Sequence, residues 1–232
     1  MKIVIVNGSP RTDGATAAIL RSMEKQLLAY GAEVGYYDLS LLTMSQCKGC
    51  CACYTTGHCH INDDAEKLSR AISKADGLVL GSPTYASNVT GHLKLLIDRG
   101  HFVIEQLLTG KYCVTVATGE NYGSRNTGRI LNNLVLYSGG QLTQKIVLNV
   151  PFGSVRKDDK HVQKTGSKAA RKLYLDIITY RKHPFQILVH WIIFTFGIRP
   201  FVKKKGELYK GVVERWKEYG LISRSSSKYS AA

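Results

Sequence analysis

Short apolar runs rich in β-branched residues recur over the first 150 residues, and stretches with helical periodicity separate them. The runs predict five strands, over residues 2–7, 33–38, 77–81, 112–118 and 144–150. The helical stretches are 15–30, 64–74, 89–99 and 124–138, with a fifth over about 158–180. Apolar strands that alternate with helices are typical of a parallel sheet covered on both faces. The pattern therefore predicts an α/β fold, a doubly wound five-stranded parallel sheet.

Three polar, loop-like segments each follow a predicted strand, at residues 8–15, 82–88 and 119–125. Parallel strands bring their carboxyl ends to one edge of a sheet, and ligands of such sheets bind beyond that edge. We expect the three segments to meet there and to form one binding site.

The first segment, from Gly8 to Thr16, offers hydroxyls, backbone amides and Arg11 at a predicted helix start. The unpaired amides and the helix dipole favour a phosphate at such a place. The segment lacks the Gly-Lys-Ser ending of the nucleoside-triphosphate loop and the three-glycine dinucleotide fingerprint. It therefore favours a phosphomonoester, although a plain turn capped by Ser9 or Thr16 would share the pattern.

The other two segments suit a flat polar ring. In the second, Pro83 stiffens the turn, and Tyr85 and Asn88 offer a stacking face and an amide. The third, residues 118–124, carries two glycines that let main-chain groups approach a ring closely. A plain surface turn is an equal interpretation of either segment taken alone.

The chain carries a formal net charge of +15, which raises the question of a nucleic-acid partner. Residues 1–150 contribute only +3, whereas residues 151–232 contribute +12. A basic face of this kind suits RNA, anionic lipid, an acidic protein or an anionic dinucleotide, and it is also compatible with a merely solvated surface. No aromatic-basic recognition motif accompanies the charge, so we expect no nucleic-acid partner.

The pattern changes after residue 181. His183 and Pro184 break the fifth helix, and a mostly apolar run of twelve residues, 185–196, follows. Twelve helical residues are too few to span a bilayer. Residues 197–200 are predicted to end the run, and a short helix over 207–219 follows three lysines. We expect domain 1–181, an extension at 182–222 that packs on the domain or a dimer mate rather than on an anionic membrane, and a disordered tail at 223–232.

Five cysteines crowd the segment 47–59, and four of them, Cys47, Cys50, Cys53 and Cys59, have the compact spacing that a metal or iron-sulfur cluster requires. The N-terminus lacks the organisation of a signal peptide, so we expect a cytoplasmic protein, in which clustered cysteines are more often ligands or redox thiols than disulfides. A zinc site, metal-free redox thiols and a cysteine-rich loop at a dimer interface remain alternatives. We interpret His58 and His60 as surface residues and Asp63 and Asp64 as helix caps.

These motifs carry a family resemblance over about residues 1–150. The run from Asn7 to Thr16 and the run from Gly81 through Lys94 to Arg99 resemble the NADPH-dependent FMN reductases of the flavodoxin-like superfamily. The cysteine cluster and the following residues 61–64 are similar to those of its iron-sulfur flavoproteins. The resemblance implies FMN, NAD(P)H as electron donor, and a 4Fe-4S cluster on the four cysteines. One departure is Ala15, where family members often have asparagine.

The residues that the resemblance assigns to FMN fall into three groups. The phosphate group is expected at Ser9, Arg11, Thr12, Gly14, Ala15 and Thr16, the ring at Pro83, Thr84, Tyr85, Ala86 and Asn88, and the ring's other edge at Thr118, Gly119, Glu120 and Gly123.

The resemblance implies an enzyme whose chemistry is done by the flavin, with no side chain as nucleophile or general base. The electron acceptor would be a quinone, a nitro or azo compound, a flavin or a protein. The enzyme would work as a homodimer or homotetramer whose neighbouring subunit completes the flavin site. The alternative is a non-catalytic flavodoxin-type carrier or a basic-tailed binding protein, although simple flavodoxins are usually acidic.

Overall fold

A computed structural model describes residues 1–120, 122–151 and 159–223. At its centre lies a five-stranded sheet of order β2-β1-β3-β4-β5, in which every neighbouring pair is parallel. The chain therefore winds outward in both directions from the junction of β1 and β3, which is the switch point of flavodoxin-like sheets. The predicted fold class is confirmed.

The five strands fall where the apolar runs predict them. They are β1 (Lys2–Asn7), β2 (Glu33–Asp38), β3 (Gly77–Pro83), β4 (Tyr112–Gly119) and β5 (Gln141–Asn149). The largest difference is at β5, which begins three residues earlier than predicted, where Leu142 is buried. Cys113 is fully buried in β4, where it packs as a small apolar residue.

Helices cover both faces of the sheet. Its two apolar cores are packed by α1 (Ala15–Ala29) and α6 (Lys160–Ile178) on one face, and by α3 (Asp64–Ser73), α4 (Gly91–Arg99) and α5 (Ser124–Tyr137) on the other. The predicted start of α6, residue 158, lies outside the described residues. A short helix that the sequence did not predict, α2 (Ala52–Thr56), lies within the cysteine segment.

The extension is a helical hairpin. Its first arm consists of α7 (Pro184–Ile193), a π-helical turn (Phe194–Ile198) and α8 (Arg199–Lys205). The second arm consists of a 3-10 turn (Gly206–Tyr209) and α9 (Lys210–Glu218). The ring centroids of Phe194 and Trp216 lie 4.8 Å apart, whereas a straight helix would separate these residues by about 33 Å. The chain therefore folds back, and it does so at Gly206, whose φ is +55°.

The prediction that residues 197–200 end the first helical arm is wrong, because the helix continues to Lys205. Proline lacks an N–H and its ring crowds the carbonyl four residues before it. Here Pro200 sits in the first turn of α8, directly after the π-helical turn, which changes the hydrogen-bond register just where proline would disturb it. Of the predicted tail, residues 224–232 lie outside the described residues.

Candidate functional site

The three polar segments meet at the carboxyl edge of the sheet, as predicted. They line a cleft of about 350 Å³ whose walls are Ser9, Arg11, Asp13, Gly14, Ala15, Thr16, Pro83, Thr84, Tyr85, Thr118, Gly119, Glu120, Val150 and Pro151. Hydrogen bonds tie the segments together: the Thr16 hydroxyl lies 2.7 Å from the Thr118 hydroxyl, and the Thr84 amide donates to the Thr118 carbonyl at 2.7 Å. These hydrogen bonds between the segments fix the shape of the cleft.

The floor of the cleft includes the N-terminus of α1. Among the described residues, no side chain caps this helix, and its first turn holds no acidic residue. The amides and the dipole are thus directed at the cleft without competition from a side-chain carboxylate of that turn. Ser9, which is buried, accepts a hydrogen bond from the Arg11 amide at 3.1 Å and so shapes the loop that leads to the helix. Such a terminus fits a phosphate group.

The second wall carries a strained turn. Ala86 and Ser87 both have positive φ, +49° and +60°, between the paired residues Tyr85 and Asn88. Consecutive left-handed residues are usual for glycine and asparagine and unfavourable for alanine and serine. Strain of this kind gathers at binding sites, where it aims a side chain or a main-chain group. Here it leaves the Tyr85 ring half exposed at the cleft.

Four of the residues predicted to bind the cofactor, Thr12, Ala86, Asn88 and Gly123, lie outside the lining of the cleft. Thr12 borders a neighbouring groove on α1. Asn88 turns its side-chain oxygen to the adjacent Val89 amide, at 2.7 Å. The other eleven predicted residues all line the cleft, together with Asp13, Val150 and Pro151, which were not among the predicted cofactor-binding residues.

The cysteine segment forms a second site. A cavity of about 260 Å³ is lined by Cys47, Cys50, Cys51, Cys53 and Cys59, together with residues at the end of α4 and in the segment after it. Two left-handed residues, Gly49 and Cys51, fold the segment back on itself. As predicted, Asp63 caps α3 by accepting from the Ala65 amide, and His58 and His60 are exposed. Asp64, also predicted as a cap, is the first residue of α3, and its carboxylate accepts from the Thr43 amide instead.

Arg99 holds this cavity together. It is nearly fully buried and donates to the carbonyls of Ser45 and Ile61, to the carboxylate of Asp63, and to the sulfur of Cys59 at 3.4 Å. Arg99 ends the run that carries the family resemblance, but no role for it was predicted from the sequence. The signal that could have identified its role is burial, because a buried guanidinium needs partners. The sequence did not predict that this arginine, at the end of a helix, is buried.

His101 forms the opposite wall, in a left-handed conformation with φ of +60°. Burial alone would lower the pKa of His101, but hydrogen bonds with Cys53, Glu105 and Glu66 raise that pKa to about 11. Burial would raise the pKa of Glu66, and the bond from His101 outweighs this and lowers it to about 2. Cys53, His101 and Glu105 offer ligand atoms within 4.8 Å of one another, but a protonated imidazole donates hydrogen bonds and does not ligate a metal.

The extension packs against the part of the cysteine segment that contains α2. Tyr209 stacks on Tyr54, with 4.5 Å between ring centroids, and the Thr55 hydroxyl donates to the Leu208 carbonyl at 3.0 Å. In α9, Arg215 donates to the Gly57 carbonyl. Gly211 approaches Gly57 so closely that a Cβ at 211 would overlap the Gly57 nitrogen. The prediction that the extension packs on the domain is confirmed for α9.

The cleft and the cysteine cavity lie at opposite ends of α4. At the N-terminus of this helix, Thr90 donates to the carbonyl of Gly8, beside the cleft, at 2.6 Å. At its C-terminus, Arg99 reaches the cysteines. The helix between them has nine residues and is about 13 Å long.

Comparison with known proteins bears on both sites. The sequence model described as NADPH-dependent FMN reductase matches residues 1–154. The chain belongs to this family. It is an oxidoreductase family, so the chain is a flavin oxidoreductase.

Relatives within the family carry the comparison past residue 154. An iron-sulfur flavoprotein of Clostridioides difficile (strain 630) is 34% identical over 96% of this chain and 100% of its own length. One of Archaeoglobus fulgidus is 31% identical over the same shares. Among solved structures, a flavone reductase superposes with a TM-score of 0.60 at 18% identity, over 79% of this chain and 66% of its own, which supports the fold.

The residues of both sites fit the groups that the family implies. For FMN, the α1 terminus fits the phosphate, and the buried Thr84 hydroxyl oxygen, which has no hydrogen-bond partner in the part of the chain that the structure describes, fits a polar ring edge. For an iron-sulfur cluster, the donor set is right, because the cavity gathers thiols and surrounds them with the N–H donors Arg99 and His101.

Proposed function

We propose that this protein is an NAD(P)H-dependent oxidoreductase that holds FMN in the cleft at the carboxyl edge of the sheet. The observation that carries the proposal is the convergence of eleven residues, assigned to FMN from sequence, on one cleft at the uncapped start of α1. When bound, FMN would accept hydride and pass electrons on.

The protein's own residues would bind FMN and orient the molecules that react with it. The α1 amides and Arg11 hold the phosphate, and the charge-assisted bonds are each worth about 1.5 to 3 kcal/mol. Tyr85 lines the cleft and is half exposed, and Tyr122, between β4 and α5, is exposed. They offer aromatic surface on which a nicotinamide or a flat acceptor can stack. Quinones, nitro and azo compounds and free flavins share this flatness, and a protein acceptor would dock at the same opening.

We further propose that Cys47, Cys50, Cys53 and Cys59 ligate a 4Fe-4S cluster. Support comes from the donor set and from relatives named iron-sulfur flavoproteins, whose match includes the extension that packs against the cysteine segment. Five free thiols in one segment suit a reducing compartment, which supports a cytoplasmic location. The length of α4 between the sites supports a homodimer or homotetramer in which one subunit's cysteine site approaches its neighbour's cleft.

The experiment is an anaerobic absorption spectrum of the purified protein before and after NADPH or NADH. Flavin bands that bleach with a nicotinamide support the reductase, and an underlying absorption that survives flavin removal supports the cluster. A flavin that only a chemical reductant bleaches would favour the carrier. A protein that takes up no FMN would contradict the assignment of the cleft.

A further inference from the structure

The first arm of the extension presents an apolar surface that no described residue covers. Its exposed side chains are Phe185, Ile187, Leu188, Trp191, Ile192, Phe196 and Phe201. We call these residues the apolar face. Phe185 is 75% exposed and Trp191 53% exposed. Seven large apolar side chains exposed along one helical arm are uncommon on a soluble monomer and mark an interaction site.

The apolar face is bordered by charge of one sign. Between Asp176 and Glu207 the chain has no acidic residue and six basic ones: Arg181, Lys182, Arg199, Lys203, Lys204 and Lys205. The three lysines are exposed, and Lys205 lies 5.3 Å from the centroid of the Phe201 ring. Basic residues beside apolar and aromatic side chains are typical of surfaces that rest on anionic membranes.

By length and composition, one described helical stretch, Pro184–Glu218, is able to cross a membrane. Its geometry indicates otherwise. The stretch folds back at Gly206, and its uncharged part, residues 184–198, is about 22 Å long against the roughly 30 Å of a hydrocarbon core.

The first arm is also fastened to the domain. The Gln186 amide pairs with both main-chain groups of Leu142 in edge strand β5, at 2.6 and 2.9 Å, and His190 lies 2.6 Å from Gln106. Phe194, Ile198 and Val202 are buried against α9. A transmembrane position would break these contacts, whereas a position in the plane of the interface would keep them all.

We propose that the apolar face docks on the surface of an anionic lipid bilayer. Phe185, Leu188 and Ile192 share one side of α7 and would enter the acyl boundary, while Lys203, Lys204 and Lys205 would meet the headgroups. A second copy of the chain is the competing occupant, and charge disfavours it, because a twofold contact would bring two such basic borders together.

The test uses the full-length protein with its cofactors and measures co-sedimentation with vesicles. One set is pure phosphatidylcholine, and the other is phosphatidylcholine and phosphatidylglycerol in a two-to-one ratio. We expect binding to the anionic vesicles only, weakened by salt. Replacing Lys203, Lys204 and Lys205 by Gln should lower the partition coefficient by about 100-fold. Leu188→Asp should abolish binding, and Leu41→Asp should not, since Leu41 is exposed beside β2, at the opposite edge of the sheet.

Tryptophan fluorescence gives an independent readout. The chain has two tryptophans, Trp191 on the apolar face and Trp216 with no exposed surface. Anionic vesicles should shift the emission to the blue in the wild type and not in Trp191→Phe, which still binds. Failure to bind anionic vesicles at low salt would overturn the proposal. A dimer that Leu188→Asp dissociates would then identify a second copy as the occupant. NADPH oxidation and FMN content, measured without vesicles, test the proposed function separately.

Discussion

The Nη2 atom of Arg99 lies 3.4 Å from the sulfur of Cys59, and the same guanidinium pairs with the carboxylate of Asp63. One buried side chain thus joins the cysteine segment to the end of α4. Removal of one partner of a buried pair leaves the other charge without compensation.

Arg99→Gln should therefore lower the free energy of unfolding by about 3 to 5 kcal/mol and reduce the iron bound after anaerobic reconstitution. Lys67→Gln is the matched control, because it removes an exposed pair with Asp64 on neighbouring α3 and should cost less than about 0.5 kcal/mol. Chemical denaturation and iron analysis measure both. If the two variants behaved alike, Arg99 would have no special part in the site.

Cys53→Ser should abolish iron binding and leave FMN affinity unchanged, because Cys53 is a proposed ligand and lies at the far end of α4 from the cleft. Cys51→Ser is the control within the same cavity. It should retain iron, since Cys51 is the fifth cysteine and stands outside the proposed set. Iron and sulfide analysis with flavin titration checks both variants, and loss of iron in Cys51→Ser would mean a different ligand set.

Arg11→Ala should weaken FMN binding by about 1.5 to 3 kcal/mol, which is roughly 10- to 150-fold in Kd, through loss of a charge-assisted phosphate contact. Titration of the apoprotein, followed by quenching of flavin fluorescence, measures this. Lys25→Ala removes an exposed positive charge from the later part of α1 and controls for net charge. Equal effects in the two variants would point to a general electrostatic contribution and not to a contact.

Gly211→Ala should separate the extension from the cysteine segment. Its Cβ would overlap the Gly57 nitrogen and lie 2.9 Å from the Thr55 carbonyl oxygen, both of them main-chain atoms that cannot easily move. We expect a destabilisation of about 1 to 3 kcal/mol, as overpacking typically gives. Gly197→Ala, where the new methyl group would meet no neighbouring described residue within 4 Å, should be neutral or slightly stabilising. Thermal unfolding of the pair distinguishes them.

The His101–Glu66 pair should make the free energy of unfolding depend on pH. The pKa of Glu66 is lowered to about 2. The contribution of Glu66 to the free energy of unfolding is therefore present above about pH 4.5 and is lost as the pH falls from there toward 2. The pKa of His101 is raised to about 11, so its contribution is full below about pH 6.5 and declines as the pH rises toward 11.

Glu66→Gln should flatten the acid limb of this profile, on the order of 2 kcal/mol between pH 4.5 and 2. Asp98→Asn, which removes a half-exposed pair with Lys94, should leave the limb in place. Urea denaturation at a series of pH values gives the comparison. An unchanged acid limb in Glu66→Gln would refute the lowered pKa.

The sheet was predictable because β1, β3 and β4 are buried on both faces, so apolar runs mark them directly. The cleft followed from the same pattern, since strand ends fix where the loops meet. Arg99 and His101 escaped prediction because their roles depend on tertiary neighbours up to 54 residues away, as from Arg99 to Ser45. The helical hairpin was not predicted either, because Pro200 indicates a helix end unless the π-helical turn before it is known.

The contact between Gly211 and Gly57 makes the state of the cysteine segment and the position of α9 thermodynamically linked. Whatever binds the thiols and orders residues 47–59 must also favour the docked hairpin, by the same free energy with which docking favours binding. The exposed lysines before Gly206 would then act as reporters, because trypsin would cut there more slowly once the site is loaded. The rate of tryptic cleavage at these lysines would therefore report cofactor insertion, although the lysines themselves do not contact the cofactor.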